Sequence, residues 1–268
     1  MTVKTLPSLL DKMWKDYVEI NPLAQKISDL FTSEGETLQN DHIALRTFNH
    51  PRVSIDVLAR PFIEAGYVYG GDYHFTEKKL YAKHYQHSDT TLPKIFISEL
   101  KLEDFSPALN KTVNAMIDQI PAGKELEYDF VSGGRPWTVT TAQYNELMKE
   151  SDYAAWVSAF GYRPNHFTVF INNLKKFSDI VTLNDYLKNK GFKLNASGGE
   201  VKGSKEVLLE QSSTLANNIE VSFNDGKLTI PACYYEFAKR YAMPDGKLYQ
   251  GFVSASADKI FESTRQGQ

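Results

Sequence analysis

The sequence contains DHIALRTF at residues 41–48 and, much later, NHFTVFIN at residues 165–172. Each stretch consists of an Asp or Asn, then a histidine, then residues that favour a β-strand. Each also opens a similar length of chain, so the two are interpreted as the first strands of two copies of one unit. A histidine at the matching position of both copies, His42 and His166, predicts a metal site between them.

The first copy is predicted to have the order βαβββ. The strand that begins at His42 is followed by a turn at residues 49–51 and by helical spacing of apolar residues up to Gly66. Three strand-like runs follow, at residues 67–75, 80–86 and 94–100.

The second copy is predicted to repeat this order in a slightly extended form. A strand runs from His166 to Ile171, and a helix through Ile180 and Leu187 ends at Gly191. Strands are expected near residues 192–195, 207–212 and 219–223, with a further strand at 227–231 after an Asn-Asp-Gly turn.

These patterns predict an α+β fold in which two βαβββ units form a curved, mostly antiparallel sheet around a metal cavity. This arrangement resembles the vicinal oxygen chelate superfamily. We expect one catalytic domain over residues 1–268. Its expected parts are N-terminal helices (1–39), the first unit (40–101), a helical insertion (102–160), the second unit (161–236) and a C-terminal segment that completes the site (237–268).

The charge pattern favours a small-molecule partner. The chain has 30 Lys and Arg against 33 Asp and Glu, and these charges are interspersed rather than clustered, which argues against a nucleic-acid partner. The first residues lack the apolar core of a signal peptide and no run is apolar enough to cross a membrane, so we expect a cytoplasmic protein.

The single cysteine, Cys233, cannot form an internal disulfide, which agrees with a reducing compartment. Its neighbours are apolar and aromatic, which favours a buried hydrophobic residue over a nucleophile.

A third metal ligand is expected late in the second unit. Glu236 lies among apolar and aromatic residues, a costly place for a carboxylate unless it is paired or metal-bound, so we prefer it to Glu210 and Glu220. Two histidines and a carboxylate are typical of non-haem Fe(II) oxygenases. Each residue taken alone is more often structural, and Glu236 could equally form a salt bridge on a helix; the matched positions favour the metal.

Arg46 is predicted to face the same cavity as His42, because side chains four residues apart on a strand share a face. A guanidinium there can bind a carboxylate in a bidentate manner, which indicates an anionic substrate. The alternative is an ion pair with a neighbouring acid. The remaining histidines have no partner acid placed by the repeat and are interpreted as structural: His50, His74, His84 and His87.

Several ordered motifs resemble the 2-oxoadipate dioxygenase/decarboxylase family over nearly the whole chain. They are DHIALRTF (41–48), PNHFT (164–168), EQSST (210–214), YYEFAKR (234–240), GFVS (251–254) and ADKIFEST (257–264). The resemblance implies an Fe(II) enzyme of lysine catabolism that converts 2-oxoadipate and O2 to 2-hydroxyglutarate and CO2.

The resemblance also implies roles for individual residues. The iron ligands would be His42, His166 and Glu236, with both histidines bordering the substrate, and Arg46 would bind and orient it for catalysis. Val253 and Ser254 match a substrate-contacting pair of the family. The chain lacks a long insertion that other members carry before this pair, which leaves the length of the substrate open.

Two other functions remain open at this point. The same scaffold hosts metal-dependent isomerases and hydrolases, and a metal-free protein could bind a small anion between the two units without catalysis. The sequence does not indicate an oligomeric state.

Overall fold

The computed structural model describes residues 4–254, which begin with two helices. Helix α1 (Leu6–Ile20) and helix α2 (Pro22–Ser33) meet at Asn21, where Pro22 cannot continue α1 and instead starts α2. Each helix buries one apolar stripe against the body of the protein. The break predicted near Asn21 is confirmed.

The first unit matches the prediction. It consists of β1 (Asn40–Phe48), α3 (Ile55–Glu64), β2 (Val68–Phe75), β3 (Leu80–Gln86) and β4 (Lys94–Leu100). The strands are ordered β2-β3-β4-β1, and the last strand returns to lie parallel to the first.

The segment between the units is helical, as expected. It contains α4 (Pro107–Ile117), α5 (Thr141–Glu150) and α6 (Asp152–Phe160). Residues 153–160 of α6 are all buried, so this helix forms part of the core beside β1.

The second unit contains one helix and six strands: β5 (His166–Phe170), α7 (Ile180–Asn189), β6 (Lys202–Ser204), β7 (Leu209–Ser213), β8 (Asn218–Phe223), β9 (Gly226–Pro231) and β10 (Glu236–Arg240). Here too the first and last strands, β5 and β10, are parallel neighbours.

The two units join through β1 and β5, which are antiparallel, to form an eight-stranded sheet of order β2-β3-β4-β1-β5-β10-β7-β6. All pairings are antiparallel except β1 with β4 and β5 with β10. From the edges inward, strands β2, β3, β4 and β1 of the first unit correspond to strands β6, β7, β10 and β5 of the second. This correspondence is expected for two copies related by a pseudo-twofold axis. The predicted α+β class, with two related units in one mostly antiparallel sheet, is confirmed.

The strands of the second unit differ from the prediction in four places. The short strand β6 was not predicted. Residues 192–195 make only a bridge between Leu194 and Thr214. Strands β8 and β9 form a separate two-stranded hairpin rather than joining the main sheet. The inner strand β10 was not predicted. It starts at Glu236, the residue at which the second unit was expected to end.

No helix within residues 4–254 is both long and apolar enough to span a membrane. The ADKIFEST motif at 257–264 lies outside the described residues.

Candidate metal centre

Three buried side chains converge where the two units meet. His42 lies on β1, His166 on β5 and Glu236 on β10, the three central strands of the sheet. His166 Nε2 lies 3.4 Å from His42 Nε2 and 3.3 Å from Glu236 Oε2, and His42 Nε2 lies 3.5 Å from Glu236 Oε1. The side chains are at most 5% exposed. Within residues 4–254, they are the group of His, Cys, Asp and Glu side chains close enough to hold a metal ion.

His42 is oriented by a buried chain of charges. Its Nδ1 lies 2.8 Å from Asp41 Oδ1, and Asp41 accepts hydrogen bonds from Arg240 Nε (2.6 Å) and Nη2 (2.8 Å). Burial raises the pKa of Asp41, but Arg240 and the bond to His42 outweigh it and hold this pKa well below its ordinary value. An ionised Asp41 keeps the proton of His42 on Nδ1 and leaves Nε2 as a lone pair.

His166 is oriented in the same way by a neutral partner. Its Nδ1 lies 3.0 Å from Asn165 Oδ1, the residue that matches Asp41 in the second unit. The ring stacks on Tyr234, with centroids 4.7 Å apart. Burial, followed by the charges of His42 and Arg46, holds the pKa of His166 well below its ordinary value, so the ring is neutral and Nε2 is an acceptor.

Glu236 occupies an inner strand rather than a helix, which excludes the salt-bridged helical alternative. Its Oε1 accepts a hydrogen bond from Gln211 Nε2 on the neighbouring strand β7. Burial raises the pKa of Glu236 to about 8, partly offset by Gln211. The carboxylate is therefore costly in this position unless a cation lies beside it.

The donor set fits a divalent metal ion. The Nδ1 protons of His42 and His166 are engaged by Asp41 and Asn165, which leaves a lone pair on each Nε2. These two nitrogens and the Glu236 carboxylate are hydrogen-bond acceptors close to one another. Such acceptors repel unless a cation or a proton lies between them. Each side chain also has the supporting hydrogen bond that metal ligands usually have.

Arg46 lies on the predicted face of β1 and is 4% exposed. Its guanidinium carbon is 5.0 Å from the ring centres of both Tyr153 and Trp156 of α6. These rings are held in place by hydrogen bonds from Tyr153 Oη to Ser98 O (2.7 Å) and from Trp156 Nε1 to Ala232 O (2.6 Å). A planar cation that packs against two fixed rings has a restricted orientation.

The segment 249–254, here called the strap, lies beside His42. The Phe252 ring meets the His42 ring edge-on, with centroids 4.8 Å apart. The backbone N–H of Phe252 donates to Tyr73 Oη (3.1 Å), and Tyr73 Oη lies 2.9 Å from His84 Nδ1. Val253 and Ser254 follow Phe252 in the strap.

Cys233 is fully buried, and burial raises the pKa of its thiol to about 12, as expected for a structural residue. The sequence interpretation assigned no role to Asp41, Asn165, Gln211 or Arg240. The first two could have been found from the repeated Asx-His pair. Arg240 could have been found because it lies four residues after Glu236 on one strand face.

The family model described as 2-oxoadipate dioxygenase/decarboxylase matches residues 2–125 and 134–249. This chain belongs to that family. A relative named 2-oxoadipate dioxygenase/decarboxylase, chloroplastic, from Arabidopsis thaliana is 34% identical over 288 residues, which cover 97% of this chain and 78% of that protein.

Solved structures agree with the family. The hydroxyglutarate synthase of Oryza sativa in complex with 2-oxoadipate has a TM-score of 0.91 at 33% identity and covers 99% of this chain and 96% of its own. A Shewanella frigidimarina NCIMB 400 protein provisionally described as a hydrolase has a TM-score of 0.91 at 51% identity and covers 95% of this chain and all of its own. A glyoxalase-superfamily protein of Ralstonia eutropha JMP134 shares the fold alone, with a TM-score of 0.74 at 19% identity, and covers 91% of this chain and 84% of its own.

Proposed function

We propose that this protein is an Fe(II)-dependent enzyme that converts 2-oxoadipate and O2 to 2-hydroxyglutarate and CO2. In this proposal His42, His166 and Glu236 bind the metal. The observation that carries the proposal is the convergence of these three buried acceptors in a member of the 2-oxoadipate dioxygenase/decarboxylase family.

The reaction balances without an external reductant. The six-carbon 2-oxo diacid loses its first carbon as CO2, one atom of O2 ends in the new carboxylate, and the other ends in the hydroxyl group. A ferrous ion held by two histidines and a carboxylate supplies the redox chemistry that lets O2 react with a 2-oxo acid.

The protein residues position and shield the substrate. Arg46, which we propose as the substrate-binding and catalytic residue, has its guanidinium packed against Tyr153 and Trp156 and can hold a carboxylate in a defined orientation. His42 and His166 border the same substrate. We propose that Val253 and Ser254 contact it from the strap.

Oxygen consumption tests the proposal. Anaerobically purified protein reconstituted with Fe(II) is expected to consume one O2 and release one CO2 for each 2-oxoadipate, with 2-hydroxyglutarate as product. Glu236→Gln should lose tightly bound iron and turnover. Glu220→Gln, which changes an exposed glutamate paired with Lys227, should retain both.

The rival activities give different results in the same assay. An isomerase or hydrolase on this scaffold binds metal but consumes no O2, and a non-catalytic anion-binding protein shows neither metal dependence nor turnover. A wild-type protein that binds Fe(II) and takes up no O2 with any 2-oxo diacid would refute the oxygenase assignment. The cytoplasmic location remains a prediction, with which the unpaired, buried Cys233 agrees.

A further inference from the structure

A second cavity, of about 580 Å³, lies at the edge of the sheet where β1 and β4 begin and β5 and β10 end. Its volume is within the range of small-molecule sites. Apolar side chains form much of its wall: Leu92, Phe170, Met243 and Leu248. We call it the Lys94 cavity, after the residue that distinguishes it.

Lys94 is a half-buried lysine without a partner among the residues that the structure describes. It pairs in register with His42 on the neighbouring parallel strand, so the two side chains share one face of the sheet. Among residues 4–254, no carboxylate lies within 4.0 Å of its amine and no hydrogen bond engages it. A half-buried ammonium group normally has a counter-ion.

The acid nearest to this lysine is already neutralised. Asp41 lines the Lys94 cavity, but both of its oxygens accept hydrogen bonds from Arg240 and one also bonds to His42. Lys247 also lines the cavity, so its described lining contains two lysines, Lys94 and Lys247, and no carboxylate other than the already paired Asp41. Two amines and an apolar wall complement a ligand with an acid at each end and methylene groups between.

Burial lowers the pKa of Lys94 to about 8, with the charge of Arg240 adding to the effect and Asp41 opposing it. The amine therefore remains mostly protonated at neutral pH. Its desolvation is the kind of cost that a bound anion removes.

The buried Arg240–Asp41 pair separates the two sites. Asp41 bonds to His42 on one side and lines the Lys94 cavity on the other, and both members of the pair are 1% exposed. A ligand in the Lys94 cavity is therefore separated from His42 by Asp41. It does not replace any of the proposed metal ligands.

We propose that the Lys94 cavity is a second binding site, distinct from the metal centre, for a small aliphatic dicarboxylate. Such a diacid could be a substrate-like or product-like molecule of the proposed reaction, or an unrelated diacid of similar length. The binding proposal itself does not require the oxygenase chemistry, so either can fail alone.

Adipate is a suitable probe, because it has the length of the proposed substrate but lacks the 2-oxo group. Calorimetric titration is done on the Fe(II)-reconstituted Arg46→Met variant, in which the expected carboxylate-binding residue of the metal cavity is absent. We expect saturable adipate binding in this variant. Binding should be at least about tenfold weaker when Lys94→Met is added, since a hydrogen bond to a charged group is lost. Lys94→Arg in place of Lys94→Met should restore the adipate affinity to within about threefold of that of the Arg46→Met variant.

Lys83→Met is the matched control, since Lys83 is a half-buried lysine of the adjacent strand that is paired with Asp56. Lys83→Met, added to the Arg46→Met variant, should bind adipate as tightly as Arg46→Met alone. Comparison of adipate with 2-oxoadipate and 2-hydroxyglutarate distinguishes a site for substrate or product from one for other diacids. Binding that is unaffected by Lys94→Met, or no adipate binding at millimolar concentration, would overturn the proposal, whereas O2 uptake by the wild-type protein tests the proposed function separately.

Discussion

Arg240 makes four hydrogen bonds from a fully buried position and thereby connects two parts of the site. Two go to Asp41, which orients His42, and two go from Nη1 to the carbonyls of Tyr249 (3.0 Å) and Gly251 (2.8 Å) in the strap. No other amino acid offers enough donors in this geometry. A single residue therefore holds both the partner of His42, a proposed metal ligand, and the strap beside it.

Arg240→Met should lower metal affinity about 10- to 100-fold, the usual effect of losing the partner that supports a metal ligand. It should also destabilise the protein by about 3–5 kcal/mol, because Asp41 would be left as a buried, uncompensated charge. Metal titration and urea unfolding measure the two effects. The double variant Asp41→Asn/Arg240→Met should recover stability without recovering metal affinity; equal metal affinity in the wild type and Arg240→Met would contradict the assigned role.

Arg46→Lys should raise the KM for 2-oxoadipate about 10- to 100-fold, since hydrogen bonds to charged groups contribute about 1.5–3 kcal/mol. Lysine keeps the positive charge but lacks the planar group that packs against Tyr153 and Trp156 and binds a carboxylate with two parallel donors. Fe(II) affinity should be unchanged. A variant that loses iron together with substrate affinity would show that Arg46 acts on the metal centre rather than on the substrate.

At the level of elements, the strap is held by a hydrogen-bonded pair on the first unit. Burial lowers the pKa of His84 to about 4, so its ring is neutral at pH 7. Tyr73 Oη can therefore donate to His84 Nδ1 while it accepts from the N–H of Phe252. His84, interpreted from the sequence as structural, thus supports the strap through Tyr73.

Tyr73→Phe should release the strap without disturbing the metal ligands. It leaves the N–H of Phe252 without an acceptor, so we expect a loss of stability of about 1–3 kcal/mol and a higher KM for 2-oxoadipate. Tyr81→Phe, on the adjacent strand β3, is the control. Steady-state kinetics and Fe(II) titration separate substrate binding from metal binding, and an unchanged KM in Tyr73→Phe would argue against a role of the strap in binding substrate.

Strands were predictable from the sequence where their faces differ in polarity. Strands β3 and β4 were predicted at their observed residues because apolar side chains recur along them. Strand β10 was missed because its inward face carries Glu236 and Arg240, the polar residues that build the site. Strands β8 and β9 were predicted, but local pattern does not reveal whether a strand joins the main sheet or forms a separate hairpin.

At the level of the whole molecule, the repeat explains why the convergence of His42 and His166 could be predicted. The pseudo-twofold relation of the units places β1 beside β5, so equivalent histidines face each other. The Asp41–Arg240 pair was not predictable in the same way, because it joins residues 199 positions apart and breaks the symmetry. Within residues 4–254, Asp41 has a charged partner and its counterpart Asn165 has none.

Metal binding should stabilise the whole protein, because its ligands come from both units. At a free metal concentration of 100 times the Kd the gain is about 2.7 kcal/mol. Glu236→Gln should abolish this gain, yet be at least as stable as the wild type without metal, since it removes a carboxylate whose burial is costly. Urea unfolding with and without Fe(II) checks both. A metal-free Glu236→Gln variant that is clearly less stable than the wild type would indicate a structural role for Glu236.

A crystal structure of the Fe(II)-loaded protein with 2-oxoadipate, prepared without O2 and with the metal located by anomalous scattering, tests the central claim most directly. The account predicts one iron about 2.0–2.2 Å from His42 Nε2, His166 Nε2 and a carboxylate oxygen of Glu236, by analogy with other nitrogen and oxygen ligands. It also predicts a substrate carboxylate at Arg46. Iron at another position, or iron that lacks Glu236 as a ligand, would contradict the account.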